Sequence, residues 1–244
     1  MDGGTAAATA RTRRRVTLFD TLRGFTIISM VAFHACYDLA YLEGFAMPWF
    51  TGTLFQAVWR ASISWTFLLL AGWMTCFSRN NVRRGLIYGV AALVVWIATS
   101  LAGVDTSVSF GILFCMAAST IIVGALAPLF DRVPSAWGLV ISLALFALTY
   151  SVPLTRYPVE GLAWLGLPSP SFASGDYYPL IPFFFMYLAG RFAARLAGEH
   201  WADGYPAWMY RDWMPPLTAV GHASLVIYLV HQPILLLLTE LIGH

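Results

Sequence analysis

Long apolar stretches alternate with short polar punctuation along the chain, and the length of the apolar stretches decides its class. Runs on the order of 20 mostly apolar residues, the length that crosses a ~30 Å hydrocarbon core as a helix, occupy 19–42, 58–77, 86–101, 108–130, 136–152, 178–196 and 217–242. They predict an all-α, polytopic transmembrane helical bundle of about seven spanning helices. Two connections stand out. Residues 153–177 are rich in Pro, Gly, Ser and aromatics, and 198–216 carries Trp201, Trp208, Tyr210 and Trp213, amphipathic rings that settle at a membrane–water interface. With no internal repeat and no soluble domain in the pattern, the organisation reads as a disordered basic tail over 1–17 followed by one membrane domain over 18–244.

Composition supports the bilayer and removes other classes. Hydrophobic residues make up 59% and charged residues 11%, against about 25% charged in a soluble domain. A formal net charge of +2 gives nucleic acid no basic face to bind. All 14 basic residues are arginines, and their placement is uneven. Arg11, Arg13, Arg14 and Arg15 precede the first run, and an alternating path puts Arg79, Arg83, Arg84, Arg132, Arg191, Arg195 and Arg211 on that same side. Only Arg60 and Arg156 fall opposite. The positive-inside rule makes the crowded side cytoplasmic, so the N-terminus is expected there. A basic start before an apolar run also fits a signal peptide, but this run carries Arg23, His34 and Asp38 and no small-residue cleavage site follows, so a retained first helix is expected. Cys36, Cys76 and Cys115 lie inside apolar runs without metal-ligand spacing, which makes them core fillers and predicts no metal.

Scarcity of charge makes the first helix conspicuous. An ionised group at the bilayer centre costs about 2.5–3.5 kcal/mol on insertion scales, yet Asp20, Arg23, His34 and Asp38 all belong to this segment. At about 100° per residue the four fall on one face, with His34 roughly 16 Å along the axis from Arg23. Gly24 beside Arg23 lets a neighbouring helix approach closely. A second stripe on the last helix, Gly221, Ser224, Tyr228, His231 and Gln232, follows three- and four-residue spacing and puts His231 at a depth similar to His34. Pro233 should bend that helix. The plain alternatives are a helix-start ion pair for Asp20 and Arg23, and a structural hydrogen bond between helices for each histidine.

The stretch Leu18-Phe19-Asp20-Thr21-Leu22-Arg23-Gly24-Phe25, with His34 eleven residues beyond Arg23, is similar to the first helix of the transmembrane acyltransferase superfamily. Within it the chain most resembles the heparan-alpha-glucosaminide N-acetyltransferase catalytic-domain family in its compact bacterial form. Four further blocks carry the resemblance in family order: 67–72 leading to Ser78-Arg79, 110–113, 176–182 and 224–233. The resemblance implies an integral membrane enzyme, expected in a bacterial cytoplasmic membrane, that moves acetyl from cytoplasmic acetyl-CoA to an amine or hydroxyl of an amino sugar or glycan on the far side. It makes His34 the essential histidine and Arg23 its matching arginine. The chain departs from the family in lacking the large lumenal domain of the animal enzyme, and in Phe114, where many bacterial relatives are expected to carry histidine.

These readings assign roles. Arg23, with Arg79, Arg83 or Arg84, would hold the coenzyme phosphates by charge-assisted hydrogen bonds. His34 would act as general base or transient acyl carrier, oriented by Asp38. Arg60 and Asp176 would meet an acceptor from outside, and Tyr228, His231 and Gln232 would line its path. Ordinary explanations exist for several of them: Asp176 as a helix N-cap, Arg60 as a snorkelling side chain, and the loop arginines as topology signals. The aromatics of 153–177 suit sugar stacking, and Gly85 with Gly89 permits a homodimer. The competing classes are a proton-coupled transporter and a haem protein with His34 and His231 as axial ligands.

Overall fold

A computed structural model describes residues 15–103 and 106–243. Nine α-helices and no strand occur among the described residues. They are α1 (Thr17–Tyr37), α2 (Leu54–Trp73), α3 (Asn81–Ala102), α4 (Ile112–Ala125), α5 (Ala127–Asp131), α6 (Ser135–Thr149), α7 (Leu180–His200), α8 (Pro215–His222) and α9 (Ser224–Gly243). A π-helical turn, Asp38–Leu42, prolongs α1. The expected tail lies, through residue 14, outside the described residues, whereas Val16 is already buried against Phe19, Leu70 and Met209.

Local chemistry sets the helix ends. The Thr53 hydroxyl accepts from the Gln56 amide to start α2, and the Asn80 side chain accepts from the Arg83 amide at 2.8 Å to start α3. Gly103, in the left-handed region at φ +61°, ends α3. Six helices are long and apolar enough to cross a membrane. The expected fourth span, 108–130, is broken: Phe110 at φ +58° delays the start, and the chain turns at Leu126 ahead of Pro128. What remains is a 14-residue α4, about 21 Å long at 1.5 Å per residue and short of the hydrocarbon thickness. The last run divides as well, at Ala223 rather than at Pro233, through which α9 runs without interruption. A proline inside a membrane helix is tolerated because neighbours re-satisfy the freed carbonyl.

The helices are not equivalent. Of the most apolar stretch of α7, 61% is buried, against 11% for α3 and for α9, so α7 is the central post and the other two are peripheral. Glycines on both partners close two crossings. A Cβ on Gly72 would overlap the Tyr187 carbonyl and one on Gly190 the Leu69 carbonyl, joining α2 to α7; Gly24 against Leu217 and Gly221 against Asp20 join α1 to α8 in the same way. Gly85 faces α4 through Ile121 and Ala117, so this face, a candidate for self-association, packs inside the chain. Arg191, 5% exposed, donates to Asp131 at 2.7 Å and to Thr75 at 3.1 Å, which ties α7 to α5 and to the 3-10 turn that follows α2 and makes it a structural arginine.

Candidate active site

One buried carboxylate organises the N-terminal end of α1. Asp20, 3% exposed, accepts from Arg15 through Nε at 2.5 Å and Nη2 at 2.7 Å and from Arg23 Nη1 at 2.9 Å, while His222 Nε2 of α8 stands 3.4 Å away. Two guanidiniums on one carboxylate leave this corner positive before His222 is counted. Arg84 adds to it. Its Nη2 donates to the Ala71 carbonyl at 2.7 Å, its Nε is buried without a partner, and the guanidinium lies 5.8 Å from the Tyr88 ring centre. No carboxylate pairs with Arg84 among the described residues.

Both arginines line a cavity of about 440 Å³ among α1, α2, α3, α4, α8 and α9. Arg23, Arg84 and His222 mark its charged end, and Tyr228 with Ile112 and Leu113 its deep end. Arg79 and Arg83 are exposed and outside it. Ile27 is the other contribution of α1, so His34 stands beyond the cavity wall.

Past Tyr228 the two expected histidines meet. The rings of His34 and His231 are 5.0 Å apart between centres, tilted by 57°, and Tyr228 lies 5.6 Å from His231. Nδ1 of His231 is 2.6 Å from the Tyr228 carbonyl. A carbonyl only accepts, so Nδ1 carries the proton and Nε2 of the neutral ring keeps its lone pair. Rings in such direct contact leave no room for a macrocycle between them, against the axial-ligand alternative. Asp38, fully buried, stands one helical turn beyond His34, its amide bonded to the His34 carbonyl. Both its carboxylate oxygens receive Gln232 Nε2, each at 3.0 Å, a clasp between α1 and α9. Gln232 Oε1 is buried without a partner.

A third group lies at the opposite end from Asp20. Asp176 Oδ2 accepts from the Ile112 amide at 3.2 Å and so caps α4 from a distant loop. Burial lifts this carboxyl to about 6, against the lowering effect of the Ile112 hydrogen bond and the Arg60 charge. Gly111 is required beside it, because a Cβ there would come 2.9 Å from Oδ2. In the 153–177 loop the Tyr157 hydroxyl donates to the Val152 carbonyl and the Tyr177 hydroxyl to the Ala163 carbonyl at 2.6 Å, so both are engaged internally while Trp164 stays partly exposed.

A family model described as heparan-alpha-glucosaminide N-acetyltransferase, catalytic, matches residues 15–233. The chain belongs to that family. No match was found among curated proteins or among solved structures. The matched stretch of this N-acetyltransferase family opens at Arg15, on Asp20, and closes at Pro233, next to the Gln232 clasp on Asp38. With six apolar helices it makes the protein an integral membrane member of an acetyltransferase family.

Within this frame the expected residues sort into three places. Arg23 and Arg84 share the charged cavity; His34, Asp38, Tyr228, His231 and Gln232 share the cluster behind it; Asp176 stands with exposed Arg60 at the far end. His222 and Tyr88, which also line the cavity, were not legible as site residues. Taking 217–242 as one helix puts His222 off the Tyr228–His231 face, and only the break at Ala223 turns it towards Asp20.

Proposed function

We propose that this membrane acetyltransferase draws its acetyl group from acetyl-CoA held in the Arg23–Arg84 cavity. At the His34–His231 pair it passes that group to an amine or hydroxyl of an amino sugar or glycan arriving from the Asp176 end. The observation that carries this reading is the cavity itself: uncompensated guanidinium charge at one end, and at the other Tyr228, whose ring adjoins His231. A polyanionic donor with a long flexible arm suits that layout, with phosphates on Arg23 and Arg84 and the thioester at Tyr228. The arginine-rich end would face the cytoplasm, where the donor is made.

The chemistry follows from the imidazoles. As the acceptor nitrogen or oxygen attacks the thioester carbonyl, His34 takes its proton; collapse of the tetrahedral intermediate breaks the C–S bond, and the imidazolium returns the proton to the departing thiolate. His231, with its proton fixed on Nδ1, presents Nε2 as a second acceptor beside His34. Asp38 and Gln232 hold α1 to α9 so that the rings stay in contact, a positioning role. An acetyl group carried briefly on His34 uses the same residues.

Transfer of labelled acetyl from acetyl-CoA to glucosamine by the purified protein tests the reading. His34→Ala should abolish transfer and still bind coenzyme A. Arg84→Ala should weaken coenzyme binding about 10- to 100-fold, the range for losing a charged hydrogen bond. Near-normal turnover by His34→Ala would remove His34 from the chemistry.

A further inference from the structure

A second cavity, about 620 Å³, lies on the other face of α4, between α4 and α3. Its size falls in the ~300–1,000 Å³ range of small-molecule sites, but its lining is almost wholly apolar. Gly89, Ala92, Ala117 and Ala118 keep it open; any of them as leucine would fill part of it. Leu93 and Trp96 stand on its rim and are about half exposed, so the space borders the surface that lipid covers. Leu113 and Tyr228 line this cavity and the charged one alike. The two chambers therefore adjoin at the point where the donor's thioester is placed: polar and basic on one side, apolar on the other.

We infer that, besides acetyl-CoA, the site takes acyl-CoA donors with longer hydrocarbon chains, the coenzyme in the Arg23–Arg84 cavity and the chain in the α3–α4 cavity. This rests on the proposed function and extends it. An acetyl methyl ends at Tyr228 and leaves 620 Å³ of apolar space unused. A charged chamber in series with an apolar one matches a molecule that is anionic at one end and hydrocarbon at the other. A glycan acceptor, polar throughout, matches neither the lining nor the rim. The bonds made and broken are those of acetyl transfer, C–S cleaved and C–N or C–O formed, so no further reactant enters.

The test measures binding of coenzyme A, acetyl-CoA, butyryl-CoA and octanoyl-CoA to the purified full chain, alongside transfer from each thioester to glucosamine. Affinity should rise with chain length by up to about fourfold per methylene, the ratio expected for full burial. Ala92→Leu and Ala118→Leu should cut the octanoyl-to-acetyl affinity ratio at least tenfold. Trp96→Ala, at the half-exposed rim, should extend the preferred chain, which guards against a filled variant that fails to fold. Coenzyme binding with no dependence on chain length overturns the inference and leaves the acetyl reading standing. Absence of any coenzyme binding overturns both. A chain-length preference indifferent to all three substitutions overturns the inference by placing the chain elsewhere. So does a loss by these variants confined to octyl glucosaminide, measured beside glucosamine as a second acceptor, which assigns the cavity to a lipid-borne acceptor.

Discussion

Asp176 shows how one buried group sets a measurable property. An aspartate in an unfolded chain titrates near ~3.9, and burial raises this one to about 6. Between those values the folded protein keeps a proton that the unfolded chain releases, so raising pH through the window lowers stability. Asp176→Asn retains an oxygen for the Ile112 amide but no titration. Its thermal midpoint in detergent should therefore gain on the wild type as pH rises from about 4 to about 7, and a constant gap would show that the carboxylate does not titrate there. Single residues of this kind were partly legible in the sequence. Asp20, Arg23, His34 and Asp38 declared themselves because charge in an apolar run is costly, and the depth match of His34 with His231 anticipated their contact. Arg15 gave no sign of gripping Asp20, since a tail arginine looks like a topology signal, and the Gln232 clasp on Asp38 needed the packing of α9 on α1.

Among the elements, the glycine crossings fix which helices touch. At the α2–α7 crossing Gly72→Ala places a methyl on the Tyr187 carbonyl, a backbone group that cannot step aside. The expected cost is about 1–3 kcal/mol, lowering the thermal midpoint by roughly 2–12 °C for a chain of this size. Gly198→Ala, in α7 with nothing near its Cβ, should be neutral or stabilising in the same assay. Equal losses for the two would mean that contact with the Tyr187 carbonyl is not what sets the cost at Gly72. Gly24 was readable as a contact point from its place beside Arg23; the reciprocal Gly72 and Gly190 were not, because a small residue in an apolar run does not name its partner. Helix ends followed the same division. Pro233 advertised a break that the surrounding helices suppress, while Ala223, with no turn chemistry of its own, sits where α8 is pinned to α1 by Gly221 and by the 2.8 Å contact of the Thr218 and Thr21 hydroxyls. The 108–130 run was apolar throughout, so its division around Phe110 and Leu126 left no hydrophobic signature.

Over the described residues, Arg15 and the arginines that join α2 to α3, follow α5, end α7 and precede α8 gather at one end of the bundle, with Arg60 and Arg156 at the other. Sidedness is therefore testable with two probes in a chain whose Cys36, Cys76 and Cys115 are replaced by alanine. In intact cells a membrane-impermeant maleimide should modify Arg156→Cys and spare Arg83→Cys until the membrane is permeabilised; the reverse pattern would turn the orientation over. At this scale the sequence spoke most clearly, because periodic burial and charge asymmetry are properties of whole segments. The central place of α7 and the shortness of α4 emerged only from three-dimensional packing. The capped start of α4 has a mechanical consequence. The carboxylate holding its first amide is 64 residues away in sequence and faces the far end, while the turn it steadies carries Leu113, the partition between the two chambers. If the acceptor is the ammonium-bearing sugar proposed above, its drawing Asp176 towards itself would slacken that partition, so the arrival of one substrate would be felt at the seat of the other.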